Sequence, residues 1–148
     1  MGGSLARDYI PIRREFFPAS FASIKDAFES LKHLPTPDII FTHQRVDHHH
    51  DHRLLGELTW NPFRRHQVLE YEIPKYESGL STPNAPVPLT RAQAAAKTGA
   101  LLACYASQRV RPWFRAETFE ALMRLRAVES SPGGRWAEGF HISKFNIT

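Results

Sequence analysis

The spacing of apolar positions changes several times along the chain, and each change marks an element. Ile24, Ala27, Phe28 and Leu31 fall at i, i+3, i+4 and i+7, which predicts an amphipathic helix over roughly Phe21–Leu31. Ser20 stands at its N-cap position, and Pro35 and Pro37 end it. Asp38-Ile39-Ile40-Phe41-Thr42 follows, a short apolar run of the kind that forms a buried parallel strand. A polar loop, His43–Asp51, leads into a second helix expected to run from about Asp51 to Arg65, with Leu54, Leu55, Leu58 and Phe63 facing inward. Gln67–Tyr71 reads as the next strand. The stretch from Pro74 to Pro88 holds four prolines and a glycine, and is expected to be a long irregular loop of the kind often used for function.

Thr90-x-x-Gln93 matches a capping box and opens an Ala-rich helix to about Cys104. Phe119, Leu122 and Met123 place a further helix over Ala116–Arg126. Pro132-Gly133-Gly134 predicts a turn, and Phe140–Phe145 a last strand. The order of helices and strands predicts an α/β fold layered on one sheet. That sheet is thin, and the chain opens on a helix rather than a strand. Residues 1–20 show no period, and Phe16-Phe17-Pro18 reads as an extended apolar arm. Either a strand lies within residues 7–17, or the fold is incomplete on its N-terminal side.

Composition narrows the function classes. The 148 residues suit a single domain, and a hydrophobic fraction of 42% excludes wholesale disorder. The lone cysteine, Cys104, excludes an intramolecular disulfide and is expected to be a buried structural thiol. A net charge of +4 is mild, and the arginines are spread out rather than gathered in a stripe, so no nucleic-acid partner is expected. No apolar run reaches the ~18 residues of a membrane span. The opening residues lack the apolar core of a signal peptide, so a cytoplasmic protein without a membrane partner is expected.

Chemistry concentrates in Asp47-His48-His49-His50-Asp51-His52. This run follows a strand and opens a helix, where open α/β sheets bind ligands and helix N–H groups favour anions. His49 and His52 are three apart, so both can face one side of a helical first turn. Imidazole is a common ligand for zinc-like metals, and Asp51 or Asp47 is available to fix a ligating ring. Two readings stand side by side: metal chemistry, and a solvated histidine loop. A catalytic zinc wants three protein ligands, and no third is evident in the run. His33, His43, His66 and His141 read as surface or satisfied core histidines. Glu70, Glu72 and Lys75 flank the proline loop, and Arg109, Arg111 and Trp113 suit an anionic group or a solvated helix flank equally.

Pro37-Asp38-Ile39-Ile40-Phe41-Thr42-His43 followed by Asp47-x-His49-x-Asp51-His52-Arg53 resembles the second conserved block of the PIG-L/LmbE family of zinc-dependent de-N-acetylases. The likeness continues through Leu69-Glu70-Tyr71-Glu72-Ile73-Pro74-Lys75-Tyr76, Phe119-x-x-Leu122-Met123-Arg124-Leu125-Arg126 and Ala137-Glu138-x-Phe140. The resemblance implies a Rossmann-like layered sandwich with a mainly parallel sheet, and hydrolysis of the N-acetyl group of a glucosamine-type substrate. It implies His52 as a metal ligand for zinc. It implies His49 as the residue that stabilises the oxyanion and protonates the leaving amine, and Asp51 as the carboxylate that orients His49. The family's opening His-Pro-Asp-Asp-Glu block, which carries two metal ligands and the general base, does not occur in these residues. The chain is therefore expected to correspond to the carboxyl-terminal portion of such a domain, as an enzyme fragment or as a remnant that binds without chemistry.

Overall fold

The computed structural model describes residues 19–130 and 133–144. The strand sought in residues 7–17, the arm at Phe16-Phe17-Pro18, and Phe145 lie outside the described residues. The elements in chain order are α1 (Phe21–Ser30), β1 (Ile39–His43), α2 (His50–Thr59), β2 (Gln67–Tyr71), β3 (Ala85–Leu89), α3 (Arg91–Cys104), α4 (Ala116–Ser130) and β4 (Trp136–Ile142). Short 3-10 turns at Leu31–His33 and Ala106–Gln108 follow α1 and α3.

The four strands form one sheet in the order β1-β2-β4-β3. Strands β1 and β2 pair in parallel, with Phe41 opposite Leu69 and His43 opposite Tyr71. Strand β4 runs antiparallel to both β2 and β3. This corrects the expectation of a mainly parallel sheet. The β1-α2-β2 unit crosses over through one helix, which returns the chain to its starting end and makes the pair parallel. Two helices, α3 and α4, separate β3 from β4, so the chain re-enters the sheet at the end where β3 left it and the pair is antiparallel. The expectation of an interior strand at Asp38–Thr42 also needs correction. Among the described strands β1 lies at the edge, and Ile39 and Phe41 are 50% and 58% exposed.

Helix α1 packs on α2 through Ile24, Leu54 and Leu58, with Phe28 and Leu55 partly buried beside them. The Ser20 side chain makes no capping hydrogen bond. Helix α2 ends at Thr59 rather than near Arg65, because Pro62 disfavours helical backbone at the residue before it. This helix lies very close to the end of β1. A Cβ at Gly56 would sit 2.6 Å from the His43 carbonyl oxygen, so only glycine allows the approach. Deeper in the same contact Thr59 Oγ1 donates to the Leu55 carbonyl at 2.7 Å and lies 2.8 Å from Thr42 Oγ1. A second apolar region joins α4 to β4 through Phe119, Met123, Ala127, Ala137 and Phe140.

The proline-rich loop ends in a strand, β3, although it contains Pro86 and Pro88. Proline tolerates this place because β3 is a terminal strand of the sheet, and alternate residues need no donor on the outer side. The capping box at Thr90 is formed: Thr90 Oγ1 accepts from Gln93 N–H, and Gln93 accepts from Thr90 N–H at 2.9 Å. Gly133 has φ +91° and supplies the turn into β4. Cys104 is exposed, not buried as expected, because the polar turn Ala106–Gln108 follows and leaves the end of α3 uncovered.

Candidate metal centre

The loop that leaves β1 turns back through a hydrogen bond from Asp47 N–H to the Gln44 carbonyl, 3.1 Å. It enters α2 with His49 as the residue before its first turn. This brings together three residues from the strand end, the turn and the first turn of α2. One donor atom each from His43, Asp47 and His52 can be chosen so that all lie within 4.8 Å of one another. His43 ends β1, Asp47 sits in the turn, and His52 lies in the first turn of α2. His43 is thus part of the cluster and not a scattered histidine. It was passed over in the sequence; its strand-end position, with Asp47 four residues on, was the signal that could have found it.

Each member is held by a defined partner. The His43 ring stacks on His52 with centroids 4.1 Å apart. His43 Nε2 lies 3.2 Å from the Tyr71 hydroxyl. Burial holds His43 at a pKa of about 4, so its ring is neutral at pH 7, and burial pushes the Tyr71 phenol up to about 12. With Nε2–H given to Tyr71, the other ring nitrogen carries a lone pair, and Nδ1 is buried without a hydrogen-bond partner. Asp47 Oδ1 accepts the backbone N–H of His49 at 2.8 Å, and Oδ2 lies 3.0 Å from His52 Nδ1. Burial pushes the Asp47 carboxyl upward, but the bonds from His52, His49 N–H and Lys75 outweigh it and keep the group ionised.

Two imidazoles and one carboxylate converging in this way suit a zinc-like divalent ion, and three protein ligands leave a position open for water or substrate. The buried, unengaged Nδ1 of His43 is the feature of the structure that fits such an ion best.

His49 and Asp51 stand beside this cluster. The His49 ring stacks on His52 at 4.6 Å and on His50 at 5.1 Å. Burial, followed by the charges of His52 and Lys75, lowers its pKa, so the neutral ring is favoured. His49 Nδ1 and Asp51 Oδ1 are buried and lack hydrogen-bond partners; the nearest base to Asp51 Oδ1 is His50 Nε2 at 3.4 Å. His49, Asp51, His52 and His43 all line one cavity of about 820 Å³. Its walls continue through Lys75 and Tyr76 to Arg111, Trp113 and Arg126. Of the flanking charges, Glu72 and Lys75 line this cavity. Glu70 does not: it is buried under Arg45 and Trp60, taking hydrogen bonds of 2.7 and 3.0 Å. Arg109 is spent on the Leu102 carbonyl at 2.9 Å.

Three solved structures share this arrangement of elements. A conserved protein of Thermus thermophilus aligns with a TM-score of 0.63 and 22% identity, over 83% of this chain and 58% of its own. The N,N'-diacetylchitobiose deacetylase of Pyrococcus horikoshii aligns with a TM-score of 0.59 and 16% identity, over 90% of this chain and 54% of its own. GalB, the 4-carboxy-2-hydroxymuconate hydratase of Pseudomonas putida, aligns with a TM-score of 0.53 and 15% identity, over 93% and 62%. At such identities the likeness is one of fold. The chain spans little more than half the length of each of these proteins. No family model and no curated protein matches the sequence. Among the described residues no helix is long and apolar enough to cross a membrane.

Proposed function

We propose that the chain carries the metal-binding half of a deacetylase that hydrolyses the N-acetyl group of an amino sugar. The observation that carries this reading is the convergence of His43, Asp47 and His52, with His49 beside them, on the wall of one cavity at the carboxyl end of the parallel strand pair. The deacetylase fold neighbour and the His49-x-Asp51-His52 pattern support it.

His43, Asp47 and His52 would hold the ion. When bound, zinc supplies Lewis acidity, lowering the pKa of a water to ~7 and polarising an amide carbonyl. The remaining steps fall to the protein. His49 is neutral at pH 7, so its imidazole accepts a proton as water attacks and delivers it to the departing amine nitrogen. Asp51, at the N-terminus of α2, favours the charged form of His49 that arises midway. The resulting imidazolium N–H would stabilise the oxygen on which negative charge develops. Lys75, Tyr76, Arg111 and Trp113 on the cavity wall would contact the sugar.

The test is acetate release from N-acetylglucosaminides by zinc-loaded protein. His52→Ala is expected to lose metal and activity together. His49→Ala is expected to keep the metal and slow turnover by roughly 10²–10⁴-fold, the usual worth of a positioned acid or base. Undiminished turnover in His49→Ala with normal metal content would remove that residue from the mechanism. A second reading, a sugar-binding module without chemistry, is favoured by the short span of the chain against its structural neighbours. Sugar binding without acetate release would establish it.

A further inference from the structure

Lys75 belongs to no ligand set, yet its ammonium contacts two members of this one. Its side chain is 5% exposed. Nζ donates to Asp47 Oδ1 at 3.0 Å and lies 2.9 Å from His52 Nδ1. His52 Nδ1 also lies 3.0 Å from Asp47 Oδ2. A ring nitrogen is either the donor to the carboxylate or the acceptor from the ammonium, never both at once. Where Nδ1 accepts from the ammonium, it and the Asp47 carboxylate share one positive charge, which is the electrostatic demand that a metal ion would meet.

A second feature lies on the other side of the ammonium. Glu77 Oε2 is buried, has no hydrogen-bond partner, and is 4.0 Å from Lys75 Nζ. The backbone there is anchored, because His48 Nδ1–H donates to the Glu77 carbonyl at 2.9 Å. The lysine thus has two carboxylates within reach of small side-chain rotations, one in the metal cluster and one outside it.

We propose that Lys75 is a tethered cation that occupies the divalent-ion position and competes with the ion, withdrawing to Glu77 when the ion binds. The proposal rests on the reading of His43, Asp47 and His52 as ligands. It makes Lys75 a residue that sets metal affinity without being a ligand. With the ammonium on Asp47 and His52, an arriving ion meets a like charge about one hydrogen-bond length from its ligands, and both donors are engaged. With the ammonium on Glu77, Asp47 and His52 are released from the competing charge and the orphaned Glu77 oxygen is satisfied. Binding and ammonium displacement are then one event.

Calorimetric titration of chelator-stripped full chain with zinc, at fixed pH and ionic strength, tests this. Lys75→Met and Lys75→Gln both remove the competing charge, and both are expected to bind zinc at least tenfold more tightly than the unsubstituted chain. Lys75→Arg keeps the charge and is expected to show no such gain. Glu77→Gln removes the charged resting place and is expected to weaken zinc binding several-fold. Far-UV circular dichroism confirms that each variant is folded, and the glutamine variant serves if the methionine one is not. Zinc binding by the unsubstituted chain that is unchanged or weakened in both neutral variants overturns the role of Lys75 and leaves the ligand set standing. Zinc binding in none of the proteins overturns both.

Discussion

Arg126 on α4 ties together several buried groups, and truncating it is a sharp test of how the cavity wall is held. Its guanidinium reaches Glu72 through two bonds of 2.7 and 2.6 Å, the Ser81 carbonyl at 2.9 Å and Glu129 at 2.5 Å. The side chains of Arg126 and Glu72 are 4% and 3% exposed. Although burial opposes the charge on Arg126, the bonds to Glu72 and Glu129 prevail and raise its pKa. Arg126→Ala leaves the Glu72 carboxylate buried without a counter-charge and the Ser81 carbonyl without its donor. Removing one partner of a buried pair costs about 3–5 kcal/mol, a large share of the ~5–15 kcal/mol that stabilises a typical domain. Replacing both partners, as Arg126→Met with Glu72→Met, removes the charges together and is expected to be milder than the single truncation. Urea unfolding followed by tryptophan fluorescence measures both. A loss below ~1 kcal/mol for Arg126→Ala, or a double variant as damaged as the single one, would refute the assignment of this pair as a buried, mutually dependent unit.

Acid sensitivity follows from His43, whose pKa falls from 6.5 to about 4 on folding. The folded state binds this proton less readily than the unfolded chain, so its stability is complete above pH ~6.5 and declines as pH falls toward 4, by up to ~3 kcal/mol; urea midpoints in chelator at pH 7 and 4.5 measure this, and His43→Gln is expected to flatten the dependence. Gly56→Ala is expected to lower the melting temperature although alanine is the better helix former, because its Cβ meets the His43 carbonyl oxygen at 2.6 Å; a rise would show that α2 can move off β1 freely. Thr90→Ala removes the side-chain half of the capping box and is expected to cost about 1 kcal/mol in chemical unfolding, whereas Thr90→Ser is expected to retain most of it.

What the sequence disclosed, and what it hid, divides by distance along the chain. Helix α1, strand β2 and the Thr90–Gln93 cap were legible because period and capping are written in neighbouring residues. Strand β3 was hidden by Pro86 and Pro88, which only an edge position tolerates, and edge position is a property of the assembled sheet. The parallel β1–β2 pair was readable from its single crossover helix, but the direction of β4 depended on how two helices return the chain. The histidine run was visible at once. The cluster that includes His43 and Lys75 was not, because a strand end and a distant loop meet there only after folding. Cys104 misled for a related reason: an apolar helix end is buried only if something covers it.

The two borders of the described sheet are not equivalent. Along β3, the antiparallel register pairs Pro86 with Gly139 and Pro88 with Ala137, and neither proline has an amide hydrogen to offer an incoming strand. That border is chemically blunt. Along β1 no proline intervenes, and Ile39 and Phe41 present apolar side chains to solvent beside the strand's outward-facing amides and carbonyls. Among the described strands, the border suited to strand addition is therefore β1, the same strand whose last residue, His43, belongs to the histidine–aspartate cluster. Whatever strand adds there enters the structure directly beside the candidate metal centre, so the state of that border and the state of the centre are read by the same few residues.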